Sequence, residues 1–167
     1  MPLLISMKVP VVKKVTIIFS LLLTGSSITA QPERIGTFQS RRRTSGHVAK
    51  VVFRTRSFDS AKNKVGYDDK IGNTVNGRKA YGAEGVPKAE IVSLKVFFNG
   101  EEVQVPRQLY SDCYDPNFGN EYIKLSFSRD FSKLFVSMSG SDGAGGYEVV
   151  WVIRRNGRAS RFFKPAF

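Results

Sequence analysis

Apolar and polar residues alternate along much of the chain from residue 66 onward, with the two-residue period of a β-strand. The clearest example is the segment at residues 91–98. Every second residue there would fall on one wholly apolar face: Val92, Leu94, Val96 and Phe98. After the first thirty residues, no stretch of ten or more shows helical periodicity. The pattern therefore predicts a chain built almost entirely from strands.

Turn signals separate the predicted strands at short intervals. Asn-Gly pairs, which suit two-residue hairpins because both residues accept positive φ, occur at positions 76–77, 99–100 and 156–157. Further strands are predicted at residues 101–106, 122–128, 134–138, 147–153 and 158–163, with an early strand around 51–53. Roughly seven to nine short strands predict an all-β fold, an antiparallel β-sandwich or small barrel built from hairpins, with Trp151 in the core.

The first thirty residues have the order of a secretory signal peptide. Three lysines precede an apolar run at positions 15–23, and a short polar segment follows that ends at Ala30. A membrane-spanning helix needs about 20 apolar residues, so the run predicts an export signal rather than an anchor. We expect a secreted or periplasmic protein without a transmembrane anchor. The lone cysteine, Cys113, allows no intrachain disulfide, and the lack of glycosylation sequons fits a bacterial protein.

Positive charge is concentrated near the two ends of the chain. The formal charge is +12, and removal of residues 1–30 leaves 23 basic and 14 acidic residues, a charge of +9. Residues 31–64 carry +7, residues 65–153 carry −3 and residues 154–167 carry +5. Such a field either attracts anionic partners or serves only to keep an exported protein in solution.

Residues 31–46 are rich in Ser, Thr, Gly and Arg, which predicts a flexible basic arm in front of a single domain at residues 47–167. The run Arg41, Arg42 and Arg43 has two interpretations: a solvated arm, or an anion-binding site for lipid headgroups or cell-wall polymers. Nucleic acid is disfavoured as a partner, because the chain has an export signal and lacks zinc-ligand spacing and RNP-type aromatic motifs.

The segment S-G-S-D-G-A-G-G-Y, at residues 139–147, is unusually rich in glycine. It lacks the Gly-Lys-Ser/Thr of a phosphate-binding loop and the Gly-x-Ser-x-Gly of a nucleophile elbow. Ordering so many glycines is entropically costly, which indicates that another loop of the protein or a ligand approaches this backbone closely. The residues predicted to contact a partner here are Asp142, Gly143, Gly145, Gly146 and Tyr147.

A second loop, at residues 110–122, combines tyrosines with oxygen donors. Tyr110 and Tyr114 either contact a partner, as tyrosine often does in interfaces, or cap the core. Calcium binds six to eight oxygen ligands, and this loop holds a dense set of candidates. They are Asp112, Asp115, Asn117, Asn120 and Glu121. The order of an EF-hand is missing and an Asx turn explains the same residues, so we expect no cofactor, with a structural Ca²⁺ as the alternative.

Conventional catalytic triads lack a base in this chain. The single histidine, His47, follows Ser45 and Gly46 in the basic segment, and Cys113 has no evident activating partner. A small cell-envelope hydrolase that uses paired carboxylates is an alternative, with the candidates Asp112, Asp115, Asp142 and Glu148.

The function that we expect is that of an exported, non-enzymatic β domain. It would bind a protein or an anionic component of the cell envelope through its Gly/Asp/Tyr-rich loops. The two alternatives are the carboxylate hydrolase and a structural module stabilised by Ca²⁺.

Overall fold

The computed structural model describes residues 35–141 and 143–164, where regular structure is β apart from one 3-10 turn at Arg107–Leu109. The strands of this part are β1 (Thr37–Thr44), β2 (His47–Ser57), β3 (Val65–Asp68), β4 (Gly72–Val75), β5 (Arg78–Lys79), β6 (Ala89–Phe98), β7 (Glu101–Gln104), β8 (Ile123–Phe127), β9 (Lys133–Gly140), β10 (Tyr147–Arg154) and β11 (Ala159–Lys164). The predicted all-β fold is confirmed. The predicted signal peptide lies outside the described residues, and within them no helix has the length and hydropathy needed to cross a membrane.

The strands form three antiparallel sheets. Sheet A has the order β1-β2-β6-β7, sheet B the order β3-β4-β5, and sheet C the order β11-β10-β9-β8. Sheets A and C enclose one apolar core, to which Phe53 contributes from β2 and Trp151 from β10, both fully buried. Strands β1 and β8, at the edges of these two sheets, contact each other. The architecture is therefore a sandwich of hairpins that closes along one side.

The predicted strand at residues 91–98 is confirmed, with one change in the orientation of its side chains. Residues 94, 96 and 98 are buried as predicted, but Ile91 takes the inward position expected of Val92 and is 2% exposed. The register between β2 and β6 shifts here, because Arg54 pairs with Ser93 whereas Thr55 pairs with Ile91. A β-bulge inserts one extra residue into a strand, and the inward face then changes parity.

The prediction of a flexible arm up to residue 46 is wrong for its described part. Residues 37–44 are strand β1, which pairs with β2 along its whole length. Ser45 (φ 46°) and Gly46 (φ 78°) form the two-residue turn between these strands. The segment is poor in apolar residues because β1 is an edge strand, and Phe38 is its side chain that packs against the core. The domain therefore begins before residue 47.

Two of the three Asn-Gly turns have the predicted geometry. At positions 76–77 and 99–100 both residues have positive φ, between 53° and 95°. At the third, only Gly157 does (φ 81°), and its N–H donates to the Arg154 carbonyl oxygen at 3.0 Å. The connection between β10 and β11 is therefore a longer loop in which a single residue needs the left-handed conformation.

Candidate functional site

The two loops singled out in the sequence lie side by side. The Ser141 N–H donates to the Asp115 carbonyl oxygen at 2.8 Å, and the Asn117 N–H donates to the Ser139 carbonyl oxygen at 3.0 Å. The side-chain amide of Asn117 also donates to the Ser141 carbonyl oxygen at 3.0 Å. Residues 110–118 and the glycine loop, residues 141–146 between β9 and β10, are thus bonded to each other.

The Tyr147 side chain leaves no room for a Cβ atom at two of the glycines near these loops. Its hydroxyl donates to the Tyr114 carbonyl oxygen at 3.0 Å, and burial raises its pKa well above the usual value, so it remains a neutral donor. A Cβ atom on Gly82 would lie 2.6 Å from the Tyr147 ring, and a Cβ atom on Gly140 would overlap that ring. The group that approaches these backbones closely belongs to the protein itself.

The Glu84 side chain leaves no room for a Cβ atom at two further glycines, Gly143 and Gly145. Its carboxylate accepts hydrogen bonds from the Gly145 N–H at 2.7 Å and from the Ser141 hydroxyl at 3.1 Å. A Cβ atom on Gly143 would lie 2.5 Å from one oxygen of the same carboxylate. The sequence indicated that either another loop of the protein or a ligand lies close to the glycine loop. The nearest atoms in the structure belong to the protein, which favours the first explanation.

The tyrosines of the second loop point to the interior. Tyr110 is 8% exposed and belongs to the main core, while Tyr114 is 7% exposed and meets Phe58 edge to face at 5.7 Å. This favours the core-capping interpretation of both residues. Asp142 lies outside the described residues, and its partner-binding role stays a prediction.

One open cavity of about 340 Å³ does reach the glycine loop. Gly145, Gly146 and Tyr147 form part of its lining, together with a stacked pair, Tyr81 and Phe163, whose ring centroids are 3.7 Å apart. The lining contains backbone and aromatic surface. Three of the predicted loop residues thus border this cavity, and Gly143 is exposed outside it.

A mostly buried ion pair ties the second loop to sheet C. The Arg161 guanidinium contacts both oxygens of Asp112, and the distance from Nη2 to Oδ2 is 2.6 Å. The same guanidinium donates to the Leu109 carbonyl oxygen at 3.0 Å. The bond to Asp112 raises the pKa of Arg161, so the guanidinium stays protonated. Asp112 is therefore engaged within the protein, and Cys113 beside it is a fully buried thiol whose pKa burial raises.

The predicted calcium donors are divided between the interior and the surface. One Asp115 oxygen accepts the N–H groups of Lys88 and Ala89, each at 2.8 Å, whereas Asn120 and Glu121 are exposed. No group of three or more His, Cys, Asp or Glu side chains with metal-site geometry occurs among the residues that the structure describes. Calcium binding stays a prediction, and the arrangement of the donors gives it no support.

The carboxylates proposed for a hydrolase also have partners. Asp112 pairs with Arg161, Asp115 accepts two backbone N–H groups, and Glu148 lies 2.6 Å from the ammonium of Lys164. These contacts engage each carboxylate within the protein, whereas glycoside hydrolysis needs two carboxyl groups that face each other across an open cleft. Asp142, the fourth candidate, lies outside the described residues.

Sheet A presents a basic outer face. In β2, Val51 and Phe53 point inward, so Lys50 points outward; Arg41 lies opposite Lys50, and Lys50 lies opposite Phe97. The basic residues on this face, from the same alternation, are Arg41, Arg43, Lys50, Arg54, Arg56 and Lys95. Two of these cations have carboxylate partners: Lys95 lies 3.4 Å from Glu102, and Arg56 lies 2.7 Å from Glu90. The other four have no salt bridge to a carboxylate in the described part of the chain.

A broad concavity lies on this basic face. Arg41, Lys50 and Phe97 line a cavity of about 560 Å³, and the Lys50 ammonium is 5.8 Å from the centre of the Phe97 ring. A neighbouring cavity of about 370 Å³ shares Arg41 and Lys50 in its lining. Arg42 lies opposite the inward-pointing Ala49 and therefore belongs to the other face of β1.

The sequence pointed to the run of three arginines, but it did not predict that alternate basic residues of β1, β2 and β6 share the outer face of sheet A. The signal available was the Ser45-Gly46 pair, which marks a hairpin and would have placed alternate arginines on one side of a strand. Comparison of the chain with protein-family models, with curated proteins and with solved structures finds no match in any of the three.

Proposed function

We propose that the chain is an exported binding domain whose ligand is an anionic polymer of the cell envelope, held on the outer face of sheet A. The observation that carries the proposal is the row formed by Arg41, Lys50 and Phe97. It lines a cavity of about 560 Å³, and neither of its cations has a described carboxylate partner. Export is the part of the proposal that rests on the first thirty residues.

The shape and charge of this face favour a chain-like polyanion. Clustered charges of one sign raise the local concentration of an oppositely charged ligand, and binding releases its counterions. The two adjoining cavities share Arg41 and Lys50, which gives an extended ligand continuous contact. A flat bilayer would not enter a concave surface, and Phe97 offers apolar area to the uncharged backbone of a polymer.

This proposal retains the binding role expected from the sequence and changes its surface. The loops at residues 110–118 and 141–146 make their closest contacts with each other and with Glu84. The four cations on the outer face of sheet A that lack a salt bridge make no such internal contacts with carboxylates of the described residues. Binding a ligand at an exposed charge without a partner costs less free energy than binding it at a paired charge, because no existing ion pair has to be broken.

The Arg41→Gln variant is expected to weaken binding to heparin, used as a probe polyanion, by about two- to fivefold at low salt. The slope of log K against log salt should fall by about one, because one cationic contact is lost. Arg42→Gln removes the same charge from the same strand on the opposite face, and we expect it to change neither quantity appreciably. Affinity measured over a salt series compares the two variants.

Equal losses in the two variants would contradict the proposal, because net charge alone would then govern binding. Neutral dextran serves as the uncharged control and should not bind. Phosphatidylglycerol vesicles form a separate arm: if the protein binds them more tightly than heparin, and Arg41→Gln abolishes that binding, the ligand is a lipid surface and the polymer assignment is wrong.

A further inference from the structure

A separate cavity of about 380 Å³ lies beside sheet B. It is lined by residues of β4 and β5, the 3-10 turn and the start of the second loop, among them Arg78, Lys79 and Arg107. It shares no lining residue with the two cavities on the outer face of sheet A. Its volume falls at the lower end of the range of about 300–1,000 Å³ that is usual for small-molecule sites.

Basic residues outnumber acidic residues in the lining of this cavity, three to two. The two acidic residues in its lining already have partners: Glu90 pairs with Arg56 at 2.7 Å, and Asp112 pairs with Arg161 at 2.6 Å. Arg78 and Arg107 have no carboxylate partner in the described part of the chain. The third cation, Lys79, places its ammonium 4.9 Å from the centre of the ring of Tyr81, which lines the cavity at the glycine loop and not this one. The lining therefore offers uncompensated positive charge at its exposed rim.

A buried tyrosine lines the inner part of the same cavity. Tyr114 is 7% exposed, and its hydroxyl has no hydrogen-bond partner among the described residues. Burial raises its pKa to about 12, with a smaller contribution from the neighbouring carboxylates of Glu90 and Asp112, so it is a neutral hydroxyl under ordinary conditions. Ser111 adds a second hydroxyl to the lining. Hydroxyl groups beside cations provide donors and acceptors for a ligand that is both charged and hydroxylated.

We propose that this cavity binds a small anionic sugar, with the cations at its rim holding the charged group and the Tyr114 hydroxyl bonding to a sugar hydroxyl. Arg107 and Arg78 suit a carboxylate or a phosphate, because a guanidinium donates two parallel hydrogen bonds to either group. A sugar acid and a sugar phosphate share this chemistry. The site is independent of the polymer-binding face, since the two surfaces use different residues.

Titration of the ¹⁵N-labelled protein with glucuronate, glucose 6-phosphate, inorganic phosphate and glucose tests the proposal by NMR. We expect saturable shifts of the amides at residues 78, 107, 111 and 114 with at least one of the two anionic sugars, with a Kd of about 1 mM or tighter. Whichever anionic sugar binds more tightly identifies the charged group. Glucose should cause no saturable shift, because the cations supply most of the affinity.

Two variants and a control make the test specific. Arg107→Gln should weaken the binding of the anionic sugar about tenfold, the loss expected for one charged hydrogen bond. Arg158→Gln, which removes an exposed cation from the β10–β11 loop, should leave it unchanged. Tyr114→Phe retains the ring and should weaken the binding of the sugar while leaving that of inorganic phosphate unchanged.

Three results would overturn the inference. The first is the absence of saturable shifts at these amides with both anionic sugars. The second is an equal loss in Arg107→Gln and Arg158→Gln, which would reduce the effect to net charge. The third is Tyr114→Phe with unchanged affinity for the sugar, which would leave a site for simple anions.

Discussion

Arg161→Met is expected to lower the free energy of unfolding by about 3–5 kcal/mol. The guanidinium contacts both oxygens of Asp112, and the two side chains are only 16% and 12% exposed. Its removal leaves a carboxylate with little access to water and no opposite charge. It also removes the hydrogen bond to the Leu109 carbonyl oxygen. Urea denaturation monitored by the fluorescence of Trp151 measures the change, because that indole is fully buried in the core.

The same strand contains a matched control. Lys164 in β11 pairs with Glu148 at 2.6 Å, but the two side chains are 44% and 28% exposed. Lys164→Met should therefore cost less than about 1 kcal/mol, as is usual for ion pairs in contact with solvent. The double variant Arg161→Met/Asp112→Asn should be more stable than Arg161→Met alone, because no buried charge is left without a partner. Similar losses for Arg161→Met and Lys164→Met would show that Asp112 is well solvated and that the pair contributes little.

This ion pair shows why the sequence alone left the second loop open between a calcium site and a turn. Asp112 and Arg161 are 49 residues apart in the chain, and only the pairing of sheet C with the loop brings them together. The sequence displays five oxygen donors close together, which is the composition of a calcium loop as much as of a buried turn. The same carboxylates serve here as acceptors for a guanidinium and for backbone N–H groups.

The strands of sheet C lie closest to their predicted bounds, although only β8 and β9 alternate clearly between buried and less buried positions and residues 149–153 of β10 are all buried. β8, β9, β10 and β11 each begin or end within a few residues of the predicted bounds. Strand β1 was missed because an edge strand needs few apolar residues, and three consecutive arginines are typical of a disordered segment. The bulge in β6 was missed for a different reason: its register shift is set by the pairing with β2 and leaves no mark in the pattern of β6 itself.

Gly82→Ala is expected to lower the free energy of unfolding by about 2–5 kcal/mol, from two causes that add. Gly82 has φ of 88°, where a Cβ atom costs about 1–2 kcal/mol. The new methyl group would also overlap the Tyr114 carbonyl group and the Tyr147 ring, and overpacking of this kind costs about 1–3 kcal/mol. Thermal and urea unfolding of the variant measure the sum.

Two other glycines separate these causes. Gly100 has φ of 95° and no atom within 4 Å of the position that an alanine methyl group would take, so Gly100→Ala reports the cost of the backbone conformation alone. At Gly140 the three atoms nearest to an added Cβ all belong to Tyr147 and φ is not positive, so Gly140→Ala reports the overlap without the cost of the backbone conformation. Gly140→Ala should therefore become nearly neutral in a Tyr147→Ala background, whereas Gly82→Ala should remain costly there, because the Tyr114 carbonyl and the backbone conformation are unchanged.

If Gly82→Ala is no worse than Gly100→Ala, the ring of Tyr147 does not press on this backbone. The glycines would then again require a ligand outside the protein to explain them.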